Sequence, residues 1–184
     1  MGSLGNYIGS NLGGLQMLLV ARVSQLKVPF EAAWFNGANL VSEIELKAGN
    51  EWGYIGFAQN KGILEEVQKI DAVGVKYQYA VKCDVPARSP EVVEWLTPYL
   101  SRDLILIAID NNNMAAVLGG NYTPVKIGFS SNTSQSAADK NGYNFTFSSE
   151  SLVLAKFYGA VQAPDLPTRK VFSNGFDFGY LRTY

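Results

Sequence analysis

Two glutamates near residue 44 have a spacing that could support acid–base chemistry. Glu43 and Glu45 are separated by one residue, which places both carboxylates on the same face of a strand. Paired carboxylates on one face are the equipment of many hydrolases. However, Ile44 and Leu46 alternate with these glutamates and with Lys47, a pattern that is equally typical of a strand with one charged, solvent-facing side. We therefore interpret the two glutamates as part of a solvent-exposed sheet surface.

A run of oxygen-bearing side chains, Asp110-Asn111-Asn112-Asn113, is the second candidate, because such side chains can bind calcium. The run lacks the glycine at the sixth position and the distal glutamate of a calcium-binding loop. Asparagine and aspartate also favour tight turns. We therefore predict a hairpin turn here and no metal site.

Few other residues of the types that enzymes use for catalysis or cofactor binding are present. The chain contains no histidine and a single cysteine, Cys83, so a Ser-His or Cys-His pair, a histidine-ligated metal and an intrachain disulfide are excluded. Cys83 lies on the apolar side of an alternating segment, where burial is expected to raise the pKa of its thiol. No glycine-rich phosphate loop is present. The sequence predicts neither an enzyme nor a cofactor.

Net charge and hydropathy limit the partners. Fifteen basic and sixteen acidic residues give a net charge of -1, so specific nucleic-acid binding is not predicted. The apolar stretch from Leu15 to Ala21 is shorter than the roughly 20 residues that span a bilayer, and it lacks the features of a secretory signal. We expect synthesis in the cytoplasm and no membrane span.

The elements that must position these side chains are mostly strands. Charged residues make up only 17% of the chain, while glycine, asparagine and aromatic residues are plentiful, a balance that favours pleated strands joined by tight turns. Alternation, continuous apolar runs and turn residues predict strands at 43–47, 52–58, 74–85, 104–109, 114–118, 125–129, 143–148 and 152–158.

Three further predictions concern connections. Strand 52–58 is expected to pair with 43–47 across the Gly49-Asn50 turn. The spacing of apolar residues at 63–70 fits a helix and a strand equally well, and both remain open. Ser89-Pro90-Glu91 predicts the start of the main helix, with the Ser89 side chain as its cap, and Pro98 limits the helix.

These elements predict an α+β class: mainly antiparallel β-sheet or sandwich, with one main helix at about 90–100 and extended termini. Residues 1–14 are expected to form a flexible N-terminal segment, 15–158 a single β-rich domain and 159–184 a C-terminal arm. The arm carries alternating aromatic residues after the Asn174-Gly175 turn. It could fold back on its own sheet or add to a neighbour as a strand.

The order of features in the second half resembles a known group of proteins. Leu104–Asp110, the asparagine turn, Gly119-Gly120, Asp139-Lys140-Asn141-Gly142-Tyr143 and Phe145-Thr146-Phe147-Ser148 follow one another as in neck and tail structural proteins of tailed bacteriophages and prophages, particularly those of Bacteroidetes hosts. The resemblance covers about residues 85–158 and consists of strands and turns.

This resemblance implies a virion component that forms a ring or tube at the head–tail connector, neck or tail, together with identical subunits and adjacent virion proteins. Its function would then lie in interfaces. The residues that we predict to form the oligomer interface are Phe172, Phe176, Phe178, Tyr180, Asn132 and Asn141, with the loop 130–142 as the next candidate.

Two other classes stay open. A carbohydrate- or receptor-binding β-domain would need an exposed aromatic platform, for which Trp34, Trp52 and Trp95 are the candidates, although core positions suit Trp52 and Trp95 better. An enzyme would need a pocket with perturbed carboxylates.

Overall fold

The structure, a computed structural model, describes residues 12–28, 35–36, 39–40, 44–56, 61–72, 74–86, 88–132 and 142–158. Its strands are β1 (Leu15–Arg22), β2 (Phe35–Asn36), β3 (Asn39–Leu40), β4 (Gly53–Gly56), β5 (Gly62–Asp71), β6 (Gly74–Pro86), β7 (Leu104–Asp110), β8 (Ala115–Gly119), β9 (Lys126–Asn132), β10 (Gly142–Ser151) and β11 (Lys156–Phe157). The helix α1 spans Pro90–Leu96.

The described strands form two sheets. One has seven strands in the order β2-β3-β11-β8-β7-β1-β4, and the other has four strands in the order β5-β6-β10-β9. All neighbouring pairs are antiparallel except β11 with β3. The predicted α+β class, with mainly antiparallel sheet and one main helix, is confirmed.

Strand β7 lies inside the seven-stranded sheet, between β8 and β1, and is covered on both faces. Its alternate side chains enter two separate apolar clusters: Leu104, Leu106 and Ala108 belong to the cluster between the sheets, and Ile105 and Ile107 belong to the cluster on the opposite face. A continuous apolar run is typical of such a doubly covered strand. The prediction of a central strand at 104–109 is confirmed.

The four-stranded sheet covers the first cluster through strands with strict alternation. Tyr143, Phe145 and Phe147 of β10 and Val81 of β6 are buried on one face, whereas Thr146 of β10 is exposed on the other. Period-two alternation is the signature of a sheet with one wet face. The two sheets meet at a bridge between Leu104 and Val125, whose amides donate to each other's carbonyl oxygens at 3.0 and 2.9 Å.

Helix α1 packs on the same cluster. Val92 and Leu96 are buried, and the ring of Trp95 stacks on that of Phe145 with centroids 6.1 Å apart. The helix passes at Thr97 into a short 3-10 turn that contains Pro98, as the proline predicts. The helix begins where predicted, with Ser89 at the N-cap and Pro90 as its first residue, but the Ser89 side chain makes no capping hydrogen bond.

Pairing across the Gly49-Asn50 turn was predicted wrongly. The turn is present, with Gly49 at a φ of +79°, but the segment before it forms no strand beyond a single bridge between Leu46 and Leu26. The strand after the turn, β4, pairs with β1. Ile44 is nevertheless buried, because it packs with Trp52 under the outer face of the seven-stranded sheet.

Three other elements depart from the sequence patterns. The segment at 63–70, for which the sequence left helix and strand undecided, is a strand, since β5 pairs with β6 over ten consecutive residue pairs. The strand after Val125 is longer than predicted and takes in residues 130–132, which were assigned to a loop. Of the predicted strand at 152–158, only residues 156–157 form a strand, β11, and the side chains of Leu152, Val153 and Leu154 are exposed.

Candidate interaction surface

The asparagine turn between β7 and β8 is built from side-chain hydrogen bonds to backbone. Oδ1 of Asp110 accepts the amides of Asn112 and Met114, both at 2.8 Å. The side chain of Asn112 both accepts from the amide of Leu12 at 3.0 Å and donates to its carbonyl at 2.9 Å. Asn111 donates to the carbonyl of Gly13 at 2.7 Å. The run thus serves as a turn that holds the segment entering β1.

Metal binding finds no support in these contacts. Oδ1 of Asp110 is already occupied by two amides. In the parts of the chain that the structure describes, no group of three or more Cys, Asp or Glu side chains could hold a metal ion. The prediction of a turn at 110–113 is confirmed.

One serine and one lysine have a spacing that some hydrolases use. Ser24 and Lys27 form a Ser-X-X-Lys sequence. The ammonium of Lys27 pairs with the carboxylate of Glu45, and this hydrogen bond raises the pKa of Lys27. A lysine base needs a lowered pKa, so this arrangement does not favour catalysis. Of the predicted carboxylate pair, Glu45 is thus in an ion pair, and Glu43 lies outside the described residues.

Cys83 is buried in the cluster between the sheets, as its position in β6 predicts. Burial raises the pKa of its thiol to about 12, and Asp84 adds to the effect. The thiolate is the reactive form of cysteine. Cys83 is therefore a core residue with an unreactive thiol at neutral pH.

The two tryptophans in the described part of the chain do not build an exposed platform. Trp52 is buried, and Trp95 is half-buried against Tyr99 and Phe145. Trp34 lies outside the described residues. The predicted core positions of Trp52 and Trp95 are confirmed, and the case for carbohydrate stacking is correspondingly weaker.

The hairpin of β5 and β6 carries several exposed aliphatic side chains in the described part of the chain. Near its base, Leu64 and Val81 face the core, but the corresponding pair at its tip, Ile70 and Val75, lies beyond the core. Ile70 is 76% exposed. On the opposite face of β5, Ile63 and Val67 are 48% and 51% exposed. Exposed aliphatic side chains on both faces of one strand indicate an interaction surface.

A segment after β10 extends this surface. Leu152, Val153 and Leu154 are exposed in succession. The segment is fixed to the core-facing side of the hairpin, because the hydroxyl of Tyr79 donates to the carbonyl of Val153 and the amide of Ala155 donates to Glu66 at 3.3 Å. Burial and the adjacent Glu66 raise the pKa of Tyr79, so its hydroxyl remains a donor in neutral solution.

A groove of about 280 Å³ lies beside β5, between this strand and the asparagine turn. Its apolar lining includes Leu12, Leu15, Ile63, Leu64, Met114 and Phe157. Four of these side chains, those of Leu12, Ile63, Met114 and Phe157, are also substantially exposed. The groove therefore continues the apolar surface of β5.

Of the residues that the sequence predicts to form an interface, only Asn132 lies in the described part of the chain. Asn132 ends β9, where it pairs with Gly142 of β10, and its side chain is not described. The positions of Phe172, Phe176, Phe178, Tyr180 and Asn141 fall outside the described residues. Sequence reasoning missed Val67 and Ile70, because their spacing left the type of the element undecided.

Comparison with protein-family models, curated proteins and solved structures finds no match to this chain. Among the helices in the described ranges, none is long and apolar enough to cross a membrane.

Proposed function

We propose that this chain is a non-enzymatic structural protein of a tailed-phage virion. It assembles with identical subunits, and with adjacent virion proteins, into a ring or tube at the neck or tail. The observation that carries the proposal is the apolar surface of β5 and the following hairpin tip, which includes Val67, Ile70 and Val75. Exposed aliphatic side chains gathered on both faces of one strand are typical of an interface.

The composition supports an assembly role. A ring or tube subunit needs complementary surfaces and no reactive side chains, which agrees with a chain that has no histidine and one buried cysteine. The order of strands and turns at residues 85–158 resembles phage neck and tail proteins, and this resemblance is the reason for assigning the assembly to a virion.

The terminal arm supplies the second contact in this proposal. Twenty-six residues, 159–184, follow the last described residue, Tyr158, and contain the aromatic residues predicted to bind a neighbour. Fully extended, a segment of this length spans up to roughly 90 Å, which exceeds the diameter of one domain. The arm can therefore reach an adjacent subunit.

Deletion of residues 160–184 tests this proposal. We expect the intact chain to form a species of several times 20.1 kDa in light scattering over a range of concentrations, and the deletion to lower that mass. The deletion should leave the cooperative unfolding of the domain in place, because the two clusters of the core lie largely before residue 159. A matched control replaces Phe176, Phe178 and Tyr180 with serine at full length.

Two results would contradict the proposal. An intact chain that stays at 20.1 kDa at every concentration, alone and in phage lysates, argues against a self-assembling subunit. A deletion variant that assembles like the intact chain argues against the arm as a contact. Glycan binding that is lost on Trp34→Ala would favour the carbohydrate-binding alternative.

A further inference from the structure

We propose that the free edge of β5 binds the same edge of a second copy, in antiparallel orientation, about a two-fold axis at Val67. The two four-stranded sheets would then form one continuous sheet across a homodimer. This contact uses the same β5 surface on which the proposed assembly rests, but it does not require a virion.

The backbone of β5 offers the hydrogen-bonding groups for such a contact. The amide of Asp84 donates to the carbonyl of Lys61 at 3.2 Å, which fixes this pair as one that is hydrogen-bonded within the hairpin. Because such pairs alternate along an antiparallel ladder, the backbone groups of the odd-numbered residues 63–71 point towards β6. The outward-pointing backbone groups, on the free edge, are those of Leu64, Glu66, Gln68 and Ile70. In the described part of the chain, no strand pairs with this edge.

Charge complementarity selects one register. With Val67 opposite Val67 of the partner, Glu65 lies opposite the partner's Lys69 and Glu66 opposite the partner's Gln68. The two-fold axis repeats each pair, so the contact contains two Glu65–Lys69 pairs. Opposite charges directly across two strands stabilise a sheet, and like charges destabilise it.

Neighbouring registers are disfavoured by the same residues. Sliding one copy by two residues in one direction places Glu66 opposite the partner's Glu66, and sliding it in the other direction places Glu65 opposite the partner's Asp71. Sliding by one residue pairs outward groups with inward ones and loses the hydrogen bonds. The contact centred on Val67 is thus the register without opposed like charges.

The same register accounts for the exposed tip. It places Ile70, which is 76% exposed, directly opposite the partner's Leu64. Leu64 lines the apolar groove beside β5, together with Ile63 and Met114. Both side chains lie on the core-facing side of their strands, so the partner's Ile70 would meet the groove. Each copy contributes one tip and one groove.

The charges on the outer face of the hairpin also favour a partner. Lys69 lies directly opposite Lys76 within the hairpin, which is an unfavourable like-charged pair. Lys76 is close to Asp71 and Glu150, at 3.4 and 3.6 Å. In the dimer, the partner's Glu65, whose carboxylate pairs with Lys82 of its own hairpin at 2.7 Å, would also lie opposite Lys69.

The other described edges fit such a contact less well. The other three described edges are shorter: β4 and β2 have four and two residues, and β9 has seven. Solitary edge strands are commonly protected by proline, bulges or shortness, yet β5 has ten residues, no proline and an unbroken register with β6.

Cysteine substitution tests both the contact and its register. In the proposed register Val67 faces its own copy in a non-hydrogen-bonded pair, where Cα atoms lie about 4.5 Å apart, within the range of a disulfide. Val67→Cys should therefore give a covalent dimer of 40.2 kDa, twice 20.1 kDa, under mild oxidation by glutathione. The control is Ile63→Cys, which is on the same face and similarly exposed, but lies opposite the partner's Asp71.

We expect Val67→Cys to cross-link at least tenfold faster than Ile63→Cys. Equal rates, or no cross-linking of Val67→Cys, would overturn the proposal. The native thiol does not interfere, because Cys83 is buried.

Charge exchange provides an independent test that leaves the backbone intact. Lys69→Glu and Glu65→Lys each place like charges opposite one another twice, so each variant alone should dimerise about tenfold more weakly or worse than the wild type. An equimolar mixture should recover the dimer, because the two variants complement each other at both positions. Sedimentation equilibrium measures all three. Failure of the mixture to recover dimerisation would contradict the proposed pairing.

Discussion

Two hairpins of this protein have the same construction and opposite surroundings. β7 and β8 are joined by a turn that Asp110 closes and that Asn111 and Asn112 attach to the chain entering β1. β5 and β6 are joined at a tip that extends past the core, where Ile70 is exposed. Both are antiparallel ladders of good register. The ladder alone therefore does not decide which hairpin contributes most to stability.

The two hairpins differ in how many of their apolar side chains are buried. The side chains of β7 enter apolar clusters on both faces, whereas the outer half of β5 has solvent on both faces. Fully burying an aliphatic side chain stabilises a fold by about 1.5–3 kcal/mol, while a backbone hydrogen bond exchanged with water contributes about 1 kcal/mol. The first hairpin thus contributes more to stability, and the outer half of the second is left available for binding.

The largest effect is expected from truncating one side chain in each hairpin. Leu106→Ala removes a fully buried side chain and should lower the free energy of unfolding by about 2–5 kcal/mol. Ile70→Ala, at the exposed tip, should change it by no more than about 0.5 kcal/mol in the monomer. Urea denaturation at low protein concentration measures both. Similar losses for the two variants would break the comparison.

A smaller effect is expected at the asparagine turn. Asp110→Ala removes the acceptor of two backbone amides and should cost about 1–3 kcal/mol of stability. Asp110→Asn is the matched control, because its side-chain oxygen can still accept these bonds and the loss should be smaller. Thermal unfolding of both variants is the measurement. If the two variants lose equal stability, charge and not hydrogen bonding dominates at this position.

The smallest effect is the pH dependence of stability that arises from Cys83, at the buried base of the hairpin of β5 and β6. Burial raises the pKa of Cys83 from its ordinary value near 9 to about 12 in the folded chain. As the pH rises between these values, the unfolded chain loses the thiol proton first, so this group's contribution to stability falls. The difference in free energy of unfolding between the wild type and Cys83→Ala should therefore shrink by about 1 kcal/mol between pH 8 and pH 10. A constant difference would indicate a solvated thiol.

Sequence patterns predicted the elements whose signal is local. The strict alternation in β6 and β10 and the continuous apolar run in β7 gave correct strands, because each pattern reports its own burial. The turn at 110–113 followed from side chains that bond to nearby backbone. Proline correctly limited the helix.

Pairing between distant strands was not predictable in this way. β4 pairs with β1 and not with the segment across the nearest turn, because periodicity specifies a face and not a partner. Leu152, Val153 and Leu154 have the apolar run of a buried strand, yet side-chain bonds from Tyr79 and Glu66 hold the segment outside any ladder.

The predicted interface and the surface described above are different parts of the chain. Alternating aromatics drew attention to the C-terminal arm, a pattern that a sequence displays directly. The surface at β5 depends on where the core ends along the strand, which only the packing of the two sheets determines. Val67 and Ile70 have the composition of core residues and lie where no core remains.

The unbroken register of β5 with β6 also limits how the tip can change in length. Every residue pair from Gly62 with Cys83 to Asp71 with Gly74 follows the same register, so adding one pair at the tip lengthens the hairpin without altering any pair below it. Insertion of a single residue in one strand would instead exchange the two faces of everything between it and the turn. Insertions within the ladder should therefore be tolerated best as whole residue pairs.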